Sequence, residues 1–362
     1  MRMFRRKINI MKINLKKNPY FIAEIGINHN GRYSIAKKMI IKAIKAGASA
    51  VKFQKRDIKS LLNFGLKPQN AKGYLSKNEN DTNHKLTKYG AWTYPDIRLE
   101  LSDNDYLKIK KLCKIKNIDL IITPWDNSSA DFIEKLGVKF FKIASIDANN
   151  YQFCEYIAKK KIPTIISTGM CSYNEILKTR KIFKKNKTPH IFLHCTSAYP
   201  TETKDKNLKC ITEMRKILKD NVGFSGHGTS YIGPIGAVAL GASIIEKHVT
   251  LNKKMLGSDH AASLNFEEFK RMTDLCNEIY LSLGNNEKKF LKSETILKNI
   301  LLRKFVTTKK IQKGVTLKKN SINTALTFKK GGIHPKDYFR IINRKVKKNL
   351  KKGHVLSFAD IK

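Results

Sequence analysis

The sequence predicts an α/β fold: a (β/α)₈ TIM barrel followed by a small β-rich domain. Short apolar, β-branched runs alternate with longer amphipathic segments up to residue 284 of the 362-residue chain. The runs are continuously apolar, which is typical of parallel strands buried on both faces. After residue 284 the pattern changes to short β-type runs, which indicates a second, smaller domain.

Eight strands can be read in chain order, and eight βα units in about 270 residues match the size of a TIM barrel. The predicted strands span residues 20–28, 50–56, 119–125, 140–145, 163–169, 191–197, 222–228 and 244–250. Helical periodicity predicts helices that include 34–46, 104–116, 173–185 and 266–283. A doubly wound open sheet is the alternative that the same alternation allows.

Four segments are predicted along the chain: a basic extension at 1–17, the barrel at 18–284, a polar linker at 285–300 and the small domain at 301–362. The extension lacks the apolar core of a secretory signal, and Met11 is a possible alternative start. The connection between residues 56 and 104 is long and polar, which is typical of a cover or lid.

The composition is strongly basic, with 72 Lys and Arg against 29 Asp and Glu, a formal net charge of +43. Only 12 of the basic residues are Arg, the residue that nucleic-acid readers favour for bidentate contacts. Lys shares A/T-rich codons with the abundant Asn and Ile, so we attribute most of the charge to composition and expect no nucleic-acid partner. No run of eighteen apolar residues predicts a membrane span, and six cysteines without CxxC spacing indicate a reducing, cytoplasmic location.

Polar or ionisable residues stand at the carboxyl end of every predicted strand, where barrel enzymes build their active sites. Lys52 and Lys142, with the hydroxyls of Thr123, Ser145 and Ser167, would form a cationic pocket for a phosphate and a neighbouring carboxylate. A Schiff-base role for either lysine is the competing interpretation.

Two histidines end adjacent predicted strands, His227 on the seventh and His248 on the eighth. Two imidazoles completed by carboxylate or water ligands suit Mn²⁺, Mg²⁺ or a similar Lewis-acid ion better than a closed structural zinc site. Taken alone, such a pair is more often two histidines of the core than two metal ligands.

Several long segments resemble the sialic acid synthase family. They are FIAEIGINHNG (21–31), AVKFQ (50–54), FFKIAS (140–145), IISTGM (165–170), LHCTSAYP (193–200), GFSGHGTSYIGPIGAVALGASIIEKHVTL (223–251) and GSDHAASL (257–264). The C-terminal segment is similar to that family's antifreeze-like (SAF) domain, so the resemblance covers nearly the whole chain.

The resemblance implies condensation of phosphoenolpyruvate with an N-acylated aminohexose of the N-acetylmannosamine type. A nine-carbon nonulosonic (sialic) acid forms and phosphate is released by C–O cleavage. A divalent ion, most often Mn²⁺ with Mg²⁺ or Co²⁺ possible, is implied at His227 and His248 to polarise the sugar aldehyde. Legionaminic- and pseudaminic-type synthases, which use diacetamido-trideoxyhexoses, share the same motifs.

Carried over by position, the resemblance implies three sets of site residues. The phosphoenolpyruvate contacts would be Lys52, Thr123, Lys142, Ser145, Ser167, Ser197 and Ser225. The sugar contacts would be Glu24, Tyr199 and Asp259, with Gln54 nearby. The catalytic residues would be Glu24, Asp147, His227 and His248.

Two departures from the family pattern stand out. Asp147 falls where the family often has Glu, a carboxylate proposed to orient water or move a proton. The small domain has TFKKGGIHP (327–335) where many bacterial members have an Arg-Pro-Gly motif that reaches the partner subunit's sugar, so Lys329 is the candidate for that contact. The resemblance also implies a domain-swapped homodimer.

Two other functions are compatible with parts of the sequence. One is another phosphoenolpyruvate aldol-type synthase on a barrel, such as an octulosonate or heptulosonate phosphate synthase. The other is a basic nucleic-acid or glycan-binding protein with an inert barrel. The full set of polar strand ends favours the nonulosonic acid synthase.

Overall fold

The computed structural model describes residues 19–57, 100–255, 257, 259–285, 287–327 and 331–362. Within it the chain divides into two compact units, the first ending at Gly284 and the second beginning at Asn285. The predicted N-terminal extension at 1–17, most of the predicted cover between 56 and 104, and Lys329 lie outside the described residues.

The first unit is a closed parallel barrel. Its eight strands are β1 (Tyr20–Gly26), β2 (Ala50–Lys55), β3 (Asp119–Pro124), β4 (Phe140–Ile143), β5 (Thr164–Ser167), β6 (His190–Cys195), β7 (Val222–Gly226) and β8 (Ile244–Thr250). Each strand pairs with its neighbour in sequence, and β8 pairs back onto β1. This closure confirms the predicted barrel and shows that the open-sheet alternative was wrong. A two-residue strand, β9 (Leu264–Asn265), pairs in parallel with the last two residues of β8.

Helices follow the strands as a (β/α)₈ barrel requires. They are α1 (Tyr33–Lys45), α2 (Asp103–Ile115), α3 (Asn127–Leu136), α4 (Tyr151–Lys159), α5 (Tyr173–Lys185), α6 (Lys209–Leu218), α7 (Ile232–Ala239) and α8 (Phe266–Ser282). Five of these begin at a Ser, Asp or Asn whose side chain accepts a backbone N–H: Ser102, Asp126, Asn150, Ser172 and Asn265. Such side chains satisfy N–H groups that a helix start leaves unpaired, which explains why the starts of α2, α5 and α8 were readable from sequence.

The strands alternate between two environments, and this alternation decides where the polar residues go. Phe21, Ala23 and Ile25 of β1 belong to the large core between strands and helices, whereas Ile22 packs inside the barrel. The interior cluster is completed by Ala50, Ile121, Phe140, Ile165, Ile191, Leu193 and Ile244. Because side chains alternate with period two, residues two positions further along these strands also point inward, one layer nearer the carboxyl ends. A layer of apolar side chains therefore fills the barrel interior beneath the inward-pointing residues at the carboxyl ends of the strands.

The second unit is built around an antiparallel pair, β10 (Arg303–Thr307) and β11 (Ile322–Leu326), with short helices α9 (Thr295–Leu301) and α10 (Tyr338–Ile341). Isolated bridges such as Ile311 with Leu350 link its remaining segments around its own apolar core. This confirms a small β-rich second unit. Helix α9 begins inside the predicted linker at 285–300.

Two further findings bear on the sequence predictions. All six cysteines lie in described residues and are free thiols. No helix in the described ranges is both long enough and apolar enough to cross a membrane.

Candidate active site

A cavity of about 290 Å³ opens at the carboxyl ends of the strands. Each of the eight strands, or the segment directly after it, contributes to its lining. The predicted site residues that line it are Glu24, Lys52, Gln54, Thr123, Lys142, Ser145, Ser167, Ser197, Tyr199, Ser225, His227 and His248. The lining also contains Trp125, Ala144, Ile146, Met170 and Glu246, none of which was predicted as a site residue.

Two almost fully buried lysines form the floor of the cavity. Lys52 Nζ lies 2.8 Å from Glu24 Oε1 and donates to Thr123 Oγ1 at 3.2 Å. Burial lowers the pKa of Lys52, but Glu24 and Glu246 outweigh it and raise the pKa above its usual value. Lys142 Nζ donates to Ser167 Oγ at 2.7 Å, and burial holds its pKa below the usual value. The floor therefore contains two donors and adjacent hydroxyls, a set that suits an oxyanion.

Glu246 lies between the two lysines, and although it is one of the polar residues at the predicted strand ends, it was assigned no role from the sequence. Its Oε1 is 3.7 Å from the Nζ atoms of both Lys52 and Lys142, and it accepts from Ser225 Oγ at 3.2 Å. Its Oε2 is buried without a hydrogen-bond partner among the described residues. The signal was available, because Glu246 is two positions before His248 on β8 and must share its inward face.

The hydroxyls of Ser145 and Ser197 approach the backbone where β5 ends. Ser145 Oγ accepts from the Gly169 N–H at 3.0 Å. A Cβ at position 169 would lie 2.2 Å from Ser197 Oγ and 2.8 Å from Ser145 Oγ. Only glycine leaves room for both hydroxyls at this point, which accounts for the Gly in the IISTGM segment.

The two predicted metal ligands are brought together. The ring centroids of His227 and His248 are 5.5 Å apart, and both side chains are buried. His227 Nδ1 lies 3.0 Å from the Thr196 carbonyl oxygen, so Nδ1 carries the proton and Nε2 accepts from Tyr199 Oη at 2.9 Å. Burial lowers the pKa of His248 and favours the neutral imidazole that a metal requires, whereas Cys195 outweighs burial and raises the pKa of His227.

These histidines fit a catalytic divalent cation. Within the described ranges no group of three or more His, Cys, Asp or Glu side chains is arranged to hold a metal. A site with two protein nitrogens leaves coordination positions for substrate and water, as catalytic sites do. His248 Nδ1 is buried without a hydrogen-bond partner among the described residues and lies 3.6 Å from Asp259 Oδ2. This nitrogen is therefore available to bind a metal ion or a proton.

Of the predicted sugar contacts, Glu24 and Gln54 line the β1 side of the cavity, Tyr199 lies against His227, and Asp259 is outside the cavity lining. Glu24 Oε1 accepts from Gln54 Nε2 at 2.8 Å. Glu24 and Asp259 both lie next to Gly26. A Cβ built on this glycine would be 3.2 Å from Glu24 Oε1 and 3.5 Å from Asp259 Oδ2. Gly26 has φ of +56°, a left-handed conformation that glycine adopts without strain. Pairing of Glu24 with His248 across β1 and β8 places this group beside the histidines.

Asp147 is placed differently from the other predicted residues. It belongs to a 3₁₀ turn, Ser145–Asp147, after β4 and is not part of the cavity lining. Its Oδ1 accepts from Asn150 Nδ2 at 3.1 Å, and burial raises its pKa. The turn breaks the period-two alternation, so its direction could not be read from the strand pattern.

Comparison with known proteins identifies the family. Residues 39–288, more than half of the chain, match the NeuB family. The chain belongs to the NeuB family. This confirms the resemblance found in the sequence, since NeuB proteins are nonulosonic acid synthases.

Individual NeuB relatives divide among several products. The chain is 33% identical to the N,N'-diacetyllegionaminic acid synthase of Legionella pneumophila, with 98% of each protein covered. It is also 33% identical to a Campylobacter jejuni pseudaminic acid synthase, over 98% of this chain and 99% of the relative. The crystal structure of an N-acetylneuraminic acid synthetase from Leptospira borgpetersenii superposes with a TM-score of 0.65 at 31% identity, covering 77% of this chain and 90% of that one.

Proposed function

We propose that this NeuB protein condenses phosphoenolpyruvate with an N-acylated aminohexose to give a nine-carbon 2-keto sugar acid and phosphate. The observation that carries the proposal is the pairing, in one cavity, of a lysine and hydroxyl floor with two adjacent histidines. The floor suits an anionic co-substrate, and the histidines suit a metal beside a carbonyl acceptor.

The floor residues would bind phosphoenolpyruvate. Lys52 and Lys142 would donate to its phosphate and carboxylate, and Ser145, Ser167, Ser197, Ser225 and Thr123 would complete the hydrogen bonds. Lys142 already donates to Ser167 Oγ, so an oxyanion arriving there would meet donors that are held in place. The raised pKa of Lys52, caused by Glu24 and Glu246, supports a binding role for that lysine rather than the Schiff-base alternative.

The acceptor would bind on the β1 side. Glu24, Gln54, Tyr199 and Asp259 offer donors and acceptors for sugar hydroxyls, and Lys329 is proposed to contact the N-acyl group. A divalent cation held by His227 and His248, most suitably Mn²⁺, would supply Lewis-acid polarisation of the sugar aldehyde when bound.

In the reaction, a C–C bond would form between C3 of phosphoenolpyruvate and the sugar aldehyde carbon. Lys52 and Lys142 would hold the phosphoenolpyruvate in reach and offset its charge. Water would add at C2, oriented by a carboxylate for which Asp147 is the proposed residue, and the bond from C2 to the phosphate-bearing oxygen would break. We further propose that the enzyme acts in the cytoplasm as a homodimer.

The test is an acceptor panel. Full-length protein is incubated with phosphoenolpyruvate, Mn²⁺ and one of three acceptors: N-acetylmannosamine, its 6-phosphate, or diacetamido-trideoxyhexoses. Phosphate release is measured and the product is identified by mass spectrometry. Phosphoenolpyruvate labelled with ¹⁸O at the C2 oxygen should deliver its label to phosphate. No turnover with any N-acyl hexosamine, or retention of the label in the sugar acid, would overturn the proposal.

A matched pair of variants tests the floor. Lys142→Met removes a buried, charge-assisted donor and should raise the KM for phosphoenolpyruvate about 10- to 100-fold. Lys139→Met is the control, because Lys139 pairs with Asp119 at the exposed opposite end of the barrel strands and should leave the KM unchanged. Equal effects of the two substitutions would contradict the assigned role of Lys142.

A further inference from the structure

Lys247 is a fully buried lysine that the proposed reaction does not use. It lies on β8 between Glu246 and His248, which both line the cavity, so its side chain points away from the cavity. Only 1% of it is exposed. No carboxylate of the described residues lies within ion-pair distance of its Nζ. Burial lowers the pKa of Lys247 to about 7, and the desolvation behind this shift is a cost that an apolar side chain of similar volume would avoid.

The side-chain amino group of Lys247 makes one hydrogen bond, to a backbone carbonyl. Its Nζ donates to the carbonyl oxygen of Gly228, the residue that directly follows His227. Lys247 therefore joins the strand that carries one histidine to the loop that carries the other.

The segment containing His227 and Gly228 is restrained by three further contacts. Thr201 N donates to the His227 carbonyl at 3.3 Å, and His227 Nδ1 donates to the Thr196 carbonyl at 3.0 Å. A Cβ at Gly228 would lie 3.1 Å from the Thr201 carbonyl oxygen, so the backbone passes close to that loop. Of these restraints, the Lys247 bond is the one that comes from β8.

We propose that Lys247 is a positioning residue: by holding the Gly228 carbonyl, it fixes the His227 imidazole relative to His248 for metal binding. The proposal rests on the proposed function, because it concerns the cation site of that reaction. Groups that orient metal ligands in this way typically change metal affinity about 10- to 100-fold when removed. The alternative is that Lys247 serves only the packing of the barrel.

Lys206 provides a matched control at the same place. It is also buried, at 8% exposure, and its Cε would lie 3.3 Å from a Cβ at Gly228. Its Nζ donates to Thr203 Oγ1 at 3.1 Å. Lys206 thus packs against the same glycine, but the bond that it makes does not involve the Gly228 carbonyl.

The experiment compares Lys247→Met, Lys247→Arg and Lys206→Met in the full chain. Mn²⁺ binding is titrated by the electron paramagnetic resonance signal of the free ion, and urea unfolding is followed in the presence of a chelator. Lys247→Met should weaken Mn²⁺ binding about 10- to 100-fold, with the metal-free stability little changed, because relief from burying the amine offsets the loss of the Gly228 carbonyl's donor. Lys247→Arg, which keeps a charged donor, should recover part of the affinity, and Lys206→Met should bind Mn²⁺ as the unsubstituted chain does.

Three outcomes would overturn the inference. They are unsubstituted Mn²⁺ affinity in Lys247→Met, an equal loss in Lys206→Met, and a loss in Lys247→Met that comes with reduced metal-free stability. If Lys247→Met does not fold, an Arg variant that folds but binds no Mn²⁺ would equally exclude the role of the donor. If the unsubstituted chain itself binds no Mn²⁺, the proposed cation site fails first, which distinguishes that failure from failure of the positioning role.

Discussion

At the scale of single residues, His29 shows how a hydrogen bond in the loop after β1 depends on the protonation of one imidazole. It follows β1, is 1% exposed, and its Nδ1 accepts from the Gly31 N–H at 3.1 Å. Burial lowers the pKa of His29 to about 4, with a further lowering from Arg56. An acceptor nitrogen must be unprotonated, so the hydrogen bond and the low pKa describe the same neutral imidazole.

The stability of the barrel should therefore fall with acid. In the unfolded chain the histidine takes up a proton below its ordinary pKa of about 6.5, whereas in the folded protein it resists protonation until about pH 4. Stability from His29 is thus complete above about pH 6.5 and is lost as the pH falls towards 4, by about 3 kcal/mol. Urea unfolding of the chain and of His29→Asn across this range measures the difference. An identical pH slope in the variant would contradict it.

Residues on strands could be placed from sequence, and residues on turns could not. Lys52, Lys142 and Ser167 lie where the period-two alternation of a barrel strand puts them. Asp147 lies two residues into a 3₁₀ turn, where that alternation no longer applies, and its side chain turns to Asn150. The contact of Glu246 with both lysines joins three strands, which no local pattern can reveal.

At the scale of elements, α5 shows how a helix start holds an active-site loop. The helix begins at Tyr173, four residues after Gly169, and its N-cap Ser172 forms a capping box with Glu175. Ser172 Oγ accepts from the Glu175 N–H at 3.4 Å, and Glu175 Oε2 accepts from the Ser172 N–H at 2.7 Å. Glu175 Oε1 also accepts from Asn149 at 2.8 Å, which connects α5 to the loop after β4.

Ser172→Ala should lower the free energy of unfolding by about 1 kcal/mol, because it removes the acceptor for an unpaired helix N–H. Urea unfolding monitored by circular dichroism measures this change. Lys181→Ala is the control, since Lys181 is exposed on the same helix and makes no cap. A loss in Ser172→Ala no larger than that in the control would show that the cap contributes nothing.

Helix α9 is an element that the sequence analysis did not predict. The segment after residue 284 was interpreted as a linker because it is polar at its start, yet Thr295–Leu301 is helical. Its apolar residues Ile296, Leu297 and Ile300 are exposed, so burial within the described chain did not determine this helix. A short helix without a buried stripe leaves little periodic signal in a sequence.

At the scale of the whole molecule, charge is the dominant feature. The net charge of +43 exceeds what the cavity requires, because Lys52 and Lys142 are matched there by Glu24 and Glu246. A positively charged surface nevertheless attracts small anions over about 10 Å at an ionic strength of 0.1 M. Phosphoenolpyruvate is anionic, whereas N-acetylmannosamine is neutral, so the two proposed substrates should respond differently to salt.

The KM for phosphoenolpyruvate should rise several-fold between about 0.02 M and about 0.3 M KCl, while the KM for the neutral sugar stays constant. Initial rates at saturating concentration of the other substrate measure each value. Equal salt responses of the two constants would assign the lysine-rich surface to composition alone.

Barrel closure was readable at this scale because eight βα units leave few other arrangements. The NeuB family and its class of reaction were readable for a related reason, since the motifs lie at the strand ends that the closed barrel brings together. The acceptor was not readable, because relatives with three different products have almost equal identity to the chain.

The pairing of β1 with β8 also has a consequence for folding during synthesis on the ribosome. Glu24 meets His248 across this seam, so the first and last strands of the barrel must both be present before the cavity exists. A nascent chain that has not yet emerged to Thr250 displays two lysines and several hydroxyls without the walls that confine a ligand. Ligands can therefore stabilise this barrel only after its last strand has emerged, and the early strands must persist unaided until then.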